Sequence, residues 1–382
     1  MHIGINALTD FSGGAIIHLE NLLKYWGRSD RQHKYSIFTT YKNYHKLPKF
    51  RTDNSQYRLF RIPGVSLITK LIWEQIIFPF YLKKACIDIL FCPFNFGPIL
   101  SPFKTVLMIQ NIAPFFENVV ENEKTRCRKI KYKVLAFLMK MAAKKADVVI
   151  FPSRYGQKLI VNNFNISEEK TVVIYHGKDN SFSPIKDTKQ IIEMKQKMGI
   201  KDNFIFCVAH IYRYKNLKEL LKAFVKVKNT VDNYIQLLIA GKIYDQQYMS
   251  ELSSIIKKYE LEDTVIIKEV RWQDLPYLYS SCHFFISPST CEIFSQVLVE
   301  AMSCGAPILC ANLTAIPEIC KDAALYFDPY NIDDIADKML LILKNKQMRS
   351  KLADKALKRS QQFPSWEEVA ERTLSIIELA AK

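Results

Sequence analysis

The chain has 382 residues, 49% of them hydrophobic, with 54 Lys and Arg against 38 Asp and Glu and a formal net charge of +16. Such a hydrophobic content excludes a disordered chain, and the length suits two α/β domains better than one core. No apolar run reaches membrane-spanning length, because Lys70 and Glu74 interrupt 64–80 and Asp88, Pro93 and Asn95 interrupt 85–100.

Met1–Asn6 reads as a first strand, since a secretory leader needs a basic start and a longer apolar stretch. Strand-like runs follow near 2–8, 34–40, 57–62, 87–92, 105–110, 147–151 and 171–174, with helical patterns near 15–27, 67–85, 124–145 and 153–164. After Gly177-Lys178-Asp179 a polar stretch through Ser183-Pro184 to about 190 forms the expected linker. A second series has strands near 203–209, 235–240, 264–267, 284–287, 307–310 and 324–327. In the tail, Ser365 and Glu368 make a capping box for a last helix. Alternation of this kind predicts parallel βα units. The expected division is 1–180, 181–362 and a tail, 363–382, and two doubly wound domains facing one another would put a ligand cleft at the carboxyl ends of their sheets.

Residues 1–180 carry 27 Lys and Arg against 13 Asp and Glu, whereas 181–382 carry 27 against 25. The basic half calls for an anionic partner: nucleic acid, an acidic membrane surface or a diphosphate-bearing acceptor. Its densest part, 124–145, either lies on anionic lipid or packs Val134, Leu135, Leu138 and Met141 against its own sheet. Single-strand binders interleave aromatic residues with the basic ones, and here Tyr132 stands alone before Phe137. Nine scattered cysteines with no Cys-x-x-Cys pair point to reduced thiols in the cytoplasm and away from a structural zinc site. His176 and the tryptophans Trp73, Trp272 and Trp366 read as packing residues.

The most informative segment begins at the apolar strand Phe284–Ile286. It runs through Ser287-Pro288-Ser289-Thr290-Cys291-Glu292-Ile293-Phe294-Ser295-Gln296 into a helical stretch with Glu300, closed by Gly305-Ala306-Pro307. Ser295 is placed to cap that helix, whose first N–H groups suit a phosphate, with one carboxylate before them and one after. Two Glu eight positions apart are weak evidence alone. Gly13 and Gly14 follow the first strand, but Ala15, Ile16 and Ile17 leave Gly-x-Gly-x-x-Gly incomplete, which disfavours a dinucleotide.

In context, Glu292 and Glu300 resemble the paired glutamates of the family-four retaining glycosyltransferases. The resemblance covers nearly the whole chain. It takes in Gly13-Gly14, Val149-Ile150-Phe151-Pro152-Ser153, Val173-Ile174-Tyr175-His176-Gly177, Phe206–Leu217, Leu238-Ile239-Ala240-Gly241 and Ile316-Pro317-Glu318-Ile319. It implies two Rossmann-like domains facing across a cleft (the GT-B arrangement), with the last helix crossing back to the N-domain. It further implies a nucleotide-sugar donor held by the C-domain, an acceptor held by the N-domain, retention of configuration, and no metal or other cofactor.

Carried over, Glu292 holds the donor sugar, Glu300 accepts from the ribose hydroxyls, and Lys215 neutralises the donor diphosphate. Phe294, Ser295 and Gln296 align with the segment whose N–H groups cradle the distal phosphate, and Val270-Arg271 with a loop near the nucleotide base. The chain departs from the family where Ser295 replaces Gly and Val297 replaces Pro. His210 stands where a phosphate-binding Arg usually stands, with Arg213 as the candidate substitute. Gln110, beside Asn111, replaces a donor-contacting His, and an amide cannot serve as a base. The chain has no Asp-x-Asp, so cationic side chains must carry the charge of the leaving group.

The expected activity is transfer of a hexose or related sugar to a lipid-linked or polysaccharide acceptor in bacterial surface-glycan synthesis, in the cytoplasm or on the inner membrane face, with no nucleic acid involved. Two alternatives are a sugar-nucleotide epimerase on the same fold, which would consume donor without acceptor, and a non-catalytic basic nucleic-acid-binding protein.

Overall fold

The computed structural model describes residues 1–8, 14–47, 54–62, 69, 72–121, 126–201, 203–231 and 234–382. The chain divides into one unit of Met1–Gly177 with Pro364–Lys382 and a second of Lys178–Phe363. These breaks lie beside the expected 180/181 and 362/363.

The first unit holds seven parallel strands: β1 (His2–Ala7), β2 (Lys34–Thr40), β3 (Ser55–Phe60), β4 (Ile89–Cys92), β5 (Lys104–Met108), β6 (Val148–Phe151) and β7 (Thr171–Val173). Their order, β3-β2-β1-β4-β5-β6-β7, reverses direction between β1 and β4. β4 is buried along its whole length and β1 from Ile3 onward, as near-continuous apolar runs covered on both faces require. In the second unit, β8 (Phe204–Val208), β9 (Gln236–Ala240), β10 (Val265–Lys268), β11 (Phe284–Ser287), β12 (Ile308–Ala311) and β13 (Ala324–Phe327) pair in parallel as β10-β9-β8-β11-β12-β13. Here the reversal falls between β8 and β11. Both sheets are doubly wound, the expected fold class.

Helices depart from the sequence pattern in two places. The stretch expected as a helix over 67–85 is α-helical where described except for a π-turn at Trp73–Ile77, which precedes the α-helix Phe78–Ala85. The wider turn buries both Trp73 and Glu74 while Ile72, Ile76, Ile77 and Phe80 stay exposed. The basic helix Arg126–Lys145 fully buries Met139, Ala142 and Ala143; of the four residues expected to pack, Leu135, Leu138 and Met141 are half-buried and Val134 is exposed. Val134 is 41% exposed and stands with Ile130 at 53% and Phe137 at 61%. No described helix is long and apolar enough to cross a membrane.

The last helix, Trp366–Ala381, starts with the predicted capping box: Ser365 Oγ accepts from the Glu368 N–H, and Glu368 Oε2 accepts from the Ser365 N–H at 2.7 Å. Its Trp366, Val369, Ala370 and Ile377 join the first unit's core beside Leu19, Leu22 and Trp26. Trp26 Nε1 donates to the Ala370 carbonyl at 2.9 Å. His176 is buried as expected, with ring centroids 4.8 Å from His18 and 5.9 Å from Trp366. Burial holds both imidazoles neutral, pushing His176 down to about 3 and His18 well below its ordinary value. Trp73 and Trp366 are packing residues, but Trp272 is 44% exposed and meets Phe182 only edge-on.

Gly177 lies directly under Trp366: a Cβ there would stand 2.7 Å from the Trp366 Cα and backbone nitrogen. Backbone atoms cannot step aside as a flexible side chain can, so Gly177→Ala forces the helix start outward. It is expected to cost about 1–3 kcal/mol, read as a lowered midpoint in thermal denaturation.

Candidate functional site

β8 and β11 are adjacent in the sheet, so the loops leaving their carboxyl ends emerge side by side although they lie far apart in the chain. After β8 the chain forms a 3₁₀ turn at Arg213–Lys215 and then Asn216, whose left-handed conformation (φ 57°) opens the helix Leu217–Lys228. An asparagine tolerates that conformation. Its side chain is tied by Nδ2 to the Pro329 carbonyl at 2.7 Å.

The Tyr214 carbonyl receives three donors from the loop after β11: the Thr290 N–H at 2.8 Å, Thr290 Oγ1 at 3.1 Å and Ser289 Oγ at 3.3 Å. This clamp sets the next residue, Lys215, against the loop. Lys215 Nζ donates to Glu292 Oε1 at 2.5 Å. The Glu292 backbone is held from the other side, its N–H bonded to Thr314 Oγ1 and its carbonyl to the Ala315 N–H, both at 3.3 Å. Burial alone would lower the Lys215 ammonium, but the Glu292 carboxylate outweighs it and the net shift is upward, so Lys215 stays charged.

Beyond the loop, Ser295 occupies the N-cap position of the helix Gln296–Ser303, as expected, but its hydroxyl caps nothing. The Leu298 N–H, which that oxygen would have accepted, bonds the Ser295 carbonyl instead at 3.1 Å. Ser295 Oγ is left buried with no hydrogen-bond partner among the described residues. Glu300 lies one turn into the same helix, buried, with Tyr279 O–H donating to its Oε2 at 3.3 Å. Burial pushes the Glu300 carboxyl up to about 8; Tyr279 opposes the shift and Asp179 adds to it. Tyr279 has no signal in the sequence, since it is brought in by the separate helix Leu275–Ser281.

The remaining candidates are distributed as follows. Phe294 is buried edge-on to Phe363, and Gln296 is half-buried at the helix start. Arg213 points to the helix Gln246–Lys258: its NH1 and NH2 atoms hold both oxygens of Glu251 at 3.0 and 2.9 Å, with Tyr248 under the guanidinium. His210 Nδ1 accepts the Lys242 N–H at 3.2 Å. Burial first, then Lys215 and Lys242, lower its imidazole, so it supplies no positive charge near neutral pH. Of the two proposed cations, Lys215 is the one in contact with Glu292, and Arg213 is paired with Glu251. Val270 is half-buried, and the exposed Arg271 is engaged with both oxygens of Asp274, which also takes Lys197.

In the first unit, Gln110 and Asn111 follow β5. Gln110 Nε2 donates to the Pro93 carbonyl at 2.7 Å, and both residues' N–H groups bond Asn95 Oδ1. Gly14 opens the helix Gly14–Ser29, while Gly13 lies outside the described residues. Among the described residues no group of three His, Cys, Asp or Glu side chains converges as metal ligands would.

Residues 189–359 match the family described as Glycosyl transferases group 1, and residues 12–182 the one described as Glycosyltransferase Family 4. Over 236 residues the chain is 26% identical to the O-antigen chain mannosyltransferase B of Escherichia coli, covering 61% of this chain and 61% of that relative's length. Among solved structures, Anabaena Alr3699/HepE in complex with UDP is similar with a TM-score of 0.77 at 17% identity, covering 99% of this chain and 100% of that one. WaaG, a glycosyltransferase involved in lipopolysaccharide biosynthesis, has a TM-score of 0.76 at 15% identity, covering 98% and 99%. At such identities the likeness is one of fold.

A raised carboxyl destabilises the folded chain as it ionises. Between the ordinary value of 4.5 and about 8 the native Glu300 keeps a proton that the unfolded chain has lost, so this group's contribution falls as pH rises through that window. Glu300→Gln removes the slope. Its melting temperature should exceed that of the wild type by several degrees near pH 9 and match it near pH 4.5, as measured by thermal denaturation across pH.

Proposed function

The chain belongs to the family-four glycosyltransferases, and within that family we propose that it is a retaining, metal-independent hexosyltransferase acting on a lipid-linked or polysaccharide acceptor in bacterial surface-glycan synthesis. The observation that carries this reading is the contact between Lys215 and Glu292 at the carboxyl end of β8 and β11, with Glu300 one turn into the following helix.

Loss of a nucleoside diphosphate concentrates negative charge on the leaving oxygens, and a fixed cation beside them stabilises the transition state more than the ground state. Lys215 is that cation. Before the donor arrives Glu292 holds it in position; afterwards the diphosphate takes over the ammonium and the Glu292 carboxylate turns to the sugar hydroxyls. Ser295 Oγ, buried at the start of the helix, offers a phosphate oxygen a donor in addition to the N–H groups of the first turn. Glu300 accepts from the ribose hydroxyls, which favours its ionised form. The bond from the anomeric carbon to the diphosphate breaks, the bond to the acceptor oxygen forms on the same face, and the hydroxyl proton passes to the leaving phosphate oxygen.

Further observations support the substrates. On the donor side a similar fold binds UDP, and on the acceptor side the relatives include an O-antigen mannosyltransferase. On the helix Arg126–Lys145, Ile130, Val134 and Phe137 are exposed among Arg126, Lys129, Lys131, Lys133 and Lys140, a face suited to the anionic inner membrane surface.

Purified protein should turn over its preferred nucleotide-sugar equally with and without EDTA. Lys215→Ala and Glu292→Gln should each lower kcat by about 10²–10³. Full activity in both variants would refute the site assignment. Binding to vesicles containing anionic lipid, measured by co-sedimentation, should weaken in Val134→Glu and in high salt.

A further inference from the structure

The first unit has its own buried carboxyl group, which the proposed chemistry does not use. Glu74 sits in the π-turn Trp73–Ile77 and is 5% exposed. Its Oε1 accepts from Asn6 Nδ2 at 2.6 Å, and the same amide nitrogen lies 3.9 Å from Cys92 Sγ. Asn6 is the penultimate residue of β1 and Cys92 the last of β4. Those two strands flank the reversal in strand order, so Glu74 stands at the carboxyl end of the sheet where an open α/β sheet forms its crevice.

Packing does not account for a glutamate there. Among the described residues Asn6 supplies its one hydrogen bond, and Oε2 receives none. A carboxyl buried so incompletely paired is costly, and a glutamine or an apolar side chain would fill the same space at lower cost. The π-turn that delivers it is a rare geometry which concentrates at functional sites.

We propose that Glu74 is an acceptor-binding residue, its free carboxyl oxygen taking a hydrogen bond from an acceptor hydroxyl. This inference rests on the glycosyltransferase reading above, with the acceptor held by the first unit. Burial pushes Glu74 up to about 7 against the opposing Asn6 bond, and the facing Cys92 thiol, itself pushed up by burial, stays neutral. Glu74 therefore changes charge near neutral pH. A hydroxyl donor is held better by the carboxylate than by the acid, so acceptor binding should improve as pH rises through about 7.

The test uses the full chain, a panel of UDP-, GDP-, dTDP- and ADP-linked sugars as donors, and octyl α-mannoside with other octyl glycosides as acceptor probes. In the wild type at saturating donor, which holds Glu300 ionised at every pH compared, kcat/KM for the acceptor should climb with pH to a plateau above about 7, while donor hydrolysis in water under the same saturation shows no such limb. Glu74→Gln should raise the acceptor KM at least ~10-fold, abolish that limb, and leave the donor KM and the thermal shift given by the nucleoside diphosphate unchanged. An unchanged acceptor KM, or a limb that persists in the variant, overturns the assignment while leaving the glycosyltransferase reading standing. The wild-type pH profile decides the matter if the variant does not fold: absence of the limb, or transfer to no octyl glycoside, counts against Glu74. A wild type that neither binds nor hydrolyses any nucleotide-sugar sinks the underlying reading, and this proposal with it.

Discussion

The arrangement of the second unit depends on one carbonyl. The three donors converging on Tyr214 lock the loop after β11 onto the turn after β8, and this clamp brings Lys215 and Glu292 into contact. Parallel pairing of β8 with β11 makes the approach possible, since strands that run the same way deliver their following loops to the same edge. Asn216 completes the turn by accepting a backbone conformation that most residues resist, while its amide is anchored to Pro329. A polar cluster built on backbone hydrogen bonds keeps its geometry before any ligand arrives, the property that makes a fixed charge useful to a reaction.

The site-bearing carboxylates differ in how burial treats them. Glu292 meets an ammonium and shares its charge with it. Among the described residues Glu300 meets a neutral hydroxyl and Glu74 a neutral amide, so desolvation dominates and both are pushed toward the protonated form. A group held that way gains free energy when a ligand supplies the missing hydrogen bonds. Arg213 shows the opposite outcome: its bidentate pairing with Glu251 over the Tyr248 ring satisfies the guanidinium within the protein.

In the first unit the last helix is part of the core. Trp366 closes over Gly177 and the neutral pair His18 and His176, and Trp26 reaches the Ala370 carbonyl. The end of the chain thereby covers the face of a sheet that began at its first residues. A glycine is needed at the contact because backbone meets side chain and backbone together, with no room for a Cβ.

The strands and their doubly wound class were readable from local pattern, because near-continuous apolar runs alternating with helical periodicity leave little other choice. So was the capping box at Ser365 and Glu368, whose partners lie within one turn of chain. The family was legible in the residues around Glu292, Glu300 and Lys215. Relations across the fold came from packing alone. Lys215 was expected to face a ligand and is found paired with Glu292, Arg213 was taken by Glu251, and the Ser295 hydroxyl lost its partner to the carbonyl of its own residue. Tyr279 and Asn6 gave no local sign of the carboxyl groups they meet, 21 and 68 positions away. Local pattern reports hydrogen bonds that close within a turn; a side chain's charge state depends on what the folded chain places around it, and those neighbours are distant in sequence.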